Sequence, residues 1–272
     1  MSSKQQHPFH LVELSGWPIF TACSLFLLTF GGAMLMHGHQ IGHYLLPVAV
    51  VSLIFCLYSW WRDVVKEGLV EGHHSDEVRQ GLRIGMALFI LSEVAFFGVF
   101  FGSFFKASIA PVGILDGVWA VKAGVWPPAG TVTFDPWDIP FLNTLILLLS
   151  GTTVTWAHYA IRENNQKDAV TALGITILLG MTFTACQAYE YHHAAFKLTD
   201  GIYATNFYLP TGFHGLHVII GTIFLTVCYF RARKGHFAAQ NGHLGFEFAA
   251  WYWHFVDVVW LFLFTFVYIW GR

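Results

Sequence analysis

The run LFILSEVAFFGVFFGSFF (88–105) is long enough to cross a bilayer, yet it carries a carboxylate, Glu93, near its middle. An ionised acid at that depth costs at least ~2.5–3.5 kcal/mol, so Glu93 calls for a proton, a partner or a function. Other polar groups lie in or at the ends of apolar runs: Glu190, Glu247, His158, His214, His217, His254 and Asp257. In WYWHFVDVVW, His254 and Asp257 are three residues apart, so on a helix the carboxylate could orient the imidazole. His214 and His217 in GFHGLH share a face by the same spacing. Two chemistries suit such groups: proton movement along the interior, or hydrogen-bonded ties between helices. Haem or metal ligation is disfavoured, because Cys, Met and carboxylate partners at ligand spacing are lacking.

A second cluster is interfacial. Glu67 and His74 fall in one polar connection, Arg231 and His236 at the start of another, and Trp60 and Trp61 end a neighbouring apolar run. An arginine flanked by amphipathic rings suits a phospholipid head group. Ordinary anchoring of basic residues on one membrane face explains the same pattern.

These residues must be positioned by membrane helices. The 272-residue chain is 56% hydrophobic and 11% charged, against roughly 25% charged in soluble domains. Seven runs have spanning length, at 16–37, 41–61, 82–105, 140–162, 169–194, 211–233 and 246–270. The link HGHQ between the first two predicts a tight hairpin, and the Pro- and Gly-rich connection 106–139 predicts an ordered surface loop. The long charged connection 60–83 separates that hairpin from the other five runs, so a two-helix and a five-helix bundle with a lipid-filled cleft is the expected architecture. Ten of the fourteen Lys and Arg residues fall on the face shared with the N-terminus, which predicts the N-terminus inside and the C-terminus outside.

The formal net charge of −2 gives no reason to expect nucleic acid. Cys23, Cys56, Cys186 and Cys228 lie in apolar runs without paired spacing and read as buried, unreactive thiols. The short polar N-terminus and the long first run carry no cleavable-signal pattern.

Long strings carry a resemblance: WWRDV (60–64), GLRIGMALFILSEVAFF (81–97), GVWPP (124–128), LNTLILLLSGTTVTWAHYA (142–160), TGFHGLHVIIGTIFL (211–225) and GFEFAAWYWHFVDVVWLFLF (245–264). Across nearly its whole length the chain resembles subunit III of cytochrome c oxidase, from the haem-copper oxidase complexes. That resemblance implies one all-α, seven-helix membrane domain (1–272), with the tail, helices 1–2 and the following connection in 1–80 and helices 3–7 in 81–272. It implies a V-shaped cleft holding phospholipids, proposed in the family as an oxygen route. Haem and copper are expected in partner subunits, and this chain is expected to carry no cofactor, no metal and no catalytic residue. Subunit I is the direct partner, with subunit II, small accessory subunits and cytochrome c in or at the complex. The family's role is to steady subunit I and support its proton uptake while the complex reduces oxygen and pumps protons.

Residue by residue, the resemblance makes Glu93 a buried functional carboxylate near lipid, expected neutral. It makes Tyr58, Trp61, Arg62, Glu67, His74, Arg231 and His236 the lipid contacts. The long stretch 106–128 resembles bacterial members, which favours a bacterial plasma membrane over a mitochondrial inner membrane. The corresponding subunit of a quinol oxidase, and a stand-alone proton channel or transporter, remain alternatives.

Overall fold

The computed structural model describes residues 14–71, 74–109, 125–128, 130–237 and 242–272. Among them the regular elements are all helices, seven of them long and apolar enough to cross a membrane. The chain divides into two compact units, residues 1–82 and 83–272.

The first unit is a hairpin of α1 (Trp17–Met36) and α2 (Gly42–Lys66), which continues as a π-helical turn, Glu67–Glu71. Pro18 opens α1, where its missing N–H costs nothing. The helices approach closely because the contact is lined by small residues. Ser24, Gly31, Gly42, Ala49 and Cys56 are buried, and a Cβ on Gly42 would lie 2.5 Å from the Leu35 backbone nitrogen. The Ser24 and Ser52 hydroxyls are bonded at 2.7 Å. At the other end the Trp17 indole N–H donates to Asp63 Oδ2 at 2.8 Å, and its ring meets Phe55 edge to face. Large apolar side chains such as Phe26, Val51 and Phe55 point outward, as a lipid solvent permits, and Cys23 is exposed on the same account rather than buried as expected.

The second unit holds most of α3 (Asp76–Ile109), then α4 (Ile139–Arg162), α5 (Gln166–His192), α6 (Ile202–Arg233) and α7 (Leu244–Phe262), which widens into a π-helical end, Leu263–Trp270. Helix α7 is the hub: Trp253 and Trp260 are fully buried and donate their indole N–H groups to Ser150 Oγ and Thr144 Oγ1 of α4, each at 2.9 Å. Trp253 fits because Gly180 and Gly221 leave room, since a Cβ on either would lie within 2.8 Å of its ring. The Thr153 and Thr176 hydroxyls tie α4 to α5 at 2.8 Å. Helix α3 is attached differently, by a row of phenylalanines. Phe97 and Phe104 are buried, while Phe96 packs on Phe213 and Phe105 on Phe266.

Helix ends depart from the hydropathy reading. Helix α3 begins at Asp76 rather than 82, since Ser75 Oγ accepts from the Val78 N–H at 3.4 Å and Asp76 and Glu77 fill the first turn. Helix α6 begins at Ile202 rather than 211 and carries Pro210 inside it, because Tyr203, Asn206 and Phe207 bury a helical face ahead of the proline. Of the connection 106–139, residues to Ile109 are helical, and 110–124 and 129 lie outside the described residues. The part before α4 is non-helical and packed: the Trp126 indole donates to Gly271 O at 3.0 Å, and Phe134 stacks on Phe207.

Candidate functional site

Glu93 is half-buried and has a partner, one of the options its place in an apolar span called for. Its Oε2 lies 2.9 Å from His217 Nε2, across from α3 to α6. His217 Nδ1 is 2.6 Å from the Phe213 carbonyl oxygen, which only accepts, so Nδ1 carries a hydrogen. One further proton therefore lies between Nε2 and Oε2. Whether it resides on the acid or on the imidazole, the pair is neutral as a whole, which is how an apolar span accommodates both groups. Phe96, Phe97 and Tyr252 surround the imidazole.

The two expected intrahelical pairs do not form. His214 points into the bundle centre, where its Nε2 donates to Val256 O at 3.0 Å between Phe183 and Trp260, whereas His217 turns towards α3. A three-residue step on a helix offsets side chains by about 60°, enough for two different neighbours to claim them. His254 is bonded not to Asp257 but to Thr155 Oγ1 of α4, at 3.2 Å. Asp257 is buried against Gly151, where an added Cβ would lie 2.9 Å from Oδ2, and its Oδ1 has no partner among the described residues.

Glu190, foreseen only as an in-span acid, accepts a hydrogen bond from the Tyr268 hydroxyl at 2.8 Å, linking α5 to the end of α7. Glu247 accepts from Arg83 at 3.2 Å and faces His243 at 3.3 Å. His243 and Glu247 are four residues apart, a spacing visible in the sequence, but nothing in the sequence pairs Glu190 with Tyr268 or Glu247 with Arg83, because those meet through the depth at which neighbouring helices align. The starts of α3, α5 and α7 and the ends of α4 and α6 make one end of the second unit basic, with Arg83, Arg162, Arg231, Arg233 and Lys234.

Arg231 and His236 both sit at that end. The Arg231 guanidinium stacks 4.7 Å over the Phe237 ring, beside Gly245, whose lack of a Cβ makes room for Nη1. Arg231 Nε and His236 Nδ1 are buried without hydrogen-bond partners among the described residues. Burial lowers the His236 pKa from its ordinary value, and the Arg231 and Lys234 charges add to the effect.

Tyr58, Trp61, Arg62, Glu67 and His74 belong to the first unit. Tyr58 and Trp61 are exposed, Arg62 lies 3.4 Å from Asp63, and the His74 ring covers Gly68 in the π-helical turn.

Seven membrane-length helices whose buried polar groups are satisfied mainly by one another define a multi-pass membrane protein. A model of the cytochrome c oxidase subunit III family matches residues 7–272. The chain belongs to that family. It is 70% identical to the probable cytochrome c oxidase subunit 3 of Rickettsia felis, over 98% of this chain and 96% of that protein. It is 54% identical to cytochrome c oxidase subunit 3 of Prototheca wickerhamii, over 98% of this chain and 99% of the relative. With the Arabidopsis thaliana subunit 3 it shares 51% identity over 100% of this chain and 99% of the relative. The chain is thus a subunit of a respiratory oxidoreductase complex.

Proposed function

We propose that the chain is the non-redox subunit III of a proton-pumping cytochrome c oxidase that binds phospholipid head groups, steadies subunit I and supports its proton uptake. In this reading the haem and copper centres belong to partner subunits, and electrons reach the complex from cytochrome c. The observation that carries the lipid role is Arg231: a half-buried guanidinium stacked on Phe237, whose buried Nε, like the neighbouring His236 Nδ1, has no hydrogen-bond partner among the described residues. A phosphate oxygen is the complementary acceptor. Exposed Tyr58 and Trp61, with Arg62, Glu67 and His74, supply the amphipathic rings and charges that head groups favour in the hairpin unit.

A bacterial plasma membrane, with the N-terminus in the cytoplasm, is supported by the higher identity to the Rickettsia felis protein than to the Arabidopsis thaliana one, and by the excess of Lys and Arg on one face. Purification of the tagged chain in mild detergent tests the reading. Haem-bearing partners should co-purify, and the chain stripped of them should show no visible absorption. A chain that purifies alone, or one that keeps haem after stripping, overturns it.

A further inference from the structure

At the basic end of the second unit, three side chains from two helices converge. His158 lies on the last turns of α4, His243 immediately precedes α7, and Glu247 is in the first turn of α7. One ring nitrogen of each histidine and one carboxylate oxygen of Glu247 lie within 4.8 Å of one another. We propose that these three residues bind a divalent cation of the zinc type, which ties the end of α4 to the start of α7.

Four observations carry the assignment. First, His243 Nε2 and Glu247 Oε1 are 3.3 Å apart. Zinc bonds nitrogen and carboxylate oxygen at ~2.0–2.2 Å, so two ligands on a tetrahedron stand about 3.3–3.5 Å apart. That edge is already in place.

Second, His158 Nε2 is buried and has no hydrogen-bond partner among the described residues. A buried ring nitrogen without a partner is costly, and a metal ion or a water held by it would relieve that cost.

Third, Glu247 is oriented from outside the cluster. Arg83 Nη2 and Nε reach Oε2 at 3.2 and 3.3 Å, which leaves Oε1 to face the imidazoles. This is how an outer hydrogen-bond partner fixes a ligating carboxylate and keeps it monodentate. It also offsets the carboxylate charge, so neutral imidazoles, rather than charge alone, must supply much of the affinity.

Fourth, the donor set discriminates between metals. Two imidazoles and one carboxylate suit zinc and its transition-metal neighbours, whereas magnesium and calcium require oxygen donors. Three protein ligands leave a fourth position for water. Gly242, with φ +71°, turns the chain just before His243 in the left-handed region that favours glycine. The site lies apart from the Glu93–His217 pair and does not depend on the lipid-binding reading.

The test uses the purified complex, stripped with chelator and dialysed against buffered zinc. Wild-type complex should bind one zinc more than complexes carrying His158→Ala or His243→Ala, and excess magnesium should not displace it. Equal zinc content in the wild-type complex and in either variant overturns the assignment. His243→Ala keeps the Arg83–Glu247 pair, so it serves if His158→Ala disturbs the α4 packing. A measurement without variants stands beside it: anomalous diffraction at the zinc edge from zinc-soaked wild-type complex. A peak between the three side chains is expected, and no peak there at saturating zinc rejects the site.

Discussion

Glu93 and His217 share a single proton across 2.9 Å, because the other ring nitrogen of His217 is committed to the Phe213 carbonyl. That relationship separates two substitutions of the acid. Glu93→Gln supplies an amide N–H to the same ring nitrogen, so the oxidase complex should assemble with little loss of thermal stability. Glu93→Leu leaves His217 Nε2 without its partner, which costs ~1–3 kcal/mol. Thermal unfolding of the two purified complexes measures the difference, and equal midpoints would remove the pair from the stabilising interactions.

The Trp253 cradle predicts a contrast between two glycines. In Gly180→Ala the new methyl would lie 2.7 Å from both the Trp253 ring and Thr222 Oγ1. Overpacking of this kind costs ~1–3 kcal/mol. Gly98→Ala on α3 meets nothing within 4 Å and should be neutral or slightly stabilising. Paired melting curves check both, and a destabilised Gly98→Ala would show that its open surface is covered in the complex.

Arg231→Ala should release ordered phospholipid from the purified complex, as counted by mass spectrometry of extracted lipid, while the haem spectrum stays unchanged. Full lipid stoichiometry in the variant would place the head group elsewhere.

His236 provides a pH signature of the same region. Burial and the neighbouring Arg231 and Lys234 charges lower its pKa when no anion is bound. A base whose folded pKa lies below its unfolded value contributes its full stability above the unfolded pKa, ~6.5, and stability falls as the pH drops below that value. A bound phosphate brings negative charge and should raise the His236 pKa. NMR titration of the delipidated and relipidated complex should show that upward shift, and its absence would separate His236 from the head-group site.

In the hairpin, Trp17→Phe keeps the ring against Phe55 but deletes the donor to Asp63. The expected loss is ~1 kcal/mol. Faster protease cleavage in the 37–41 link would report it.

The seven helices were legible because spanning length and apolarity report themselves residue by residue. Their ends were less so. The cap at Ser75 is a local signal that hydropathy overlooks, and Pro210 reads as a boundary although buried residues ahead of it hold the helix. Single polar residues were legible as sites, but their partners were not. His254 and Asp257 are three apart and still choose different neighbours, while Glu93 finds His217 across two helices. Spacing along one helix fixes direction only to within a turn. Which helix stands opposite, and at what depth, is decided by packing such as the Trp253 cradle, which leaves no periodic trace.

The α1–α2 hairpin bears on biogenesis. Its described serine bond, its Trp17–Asp63 tie and its small-residue seam all close inside the first 82 residues. A ribosome adding ~5–20 residues per second needs about 10–40 s to go from residue 82 to residue 272, a further 190 residues (272 − 82). Hairpin pairing is far faster than that, so the first two helices reach the membrane as a finished piece. The hub helix, by contrast, is the last of the seven to be made, and α4, α5 and α6 must wait in the bilayer with their contact faces uncovered until it arrives. The vulnerable interval for misassembly and quality-control proteolysis therefore falls between the emergence of α4 and that of α7, on the five-helix part.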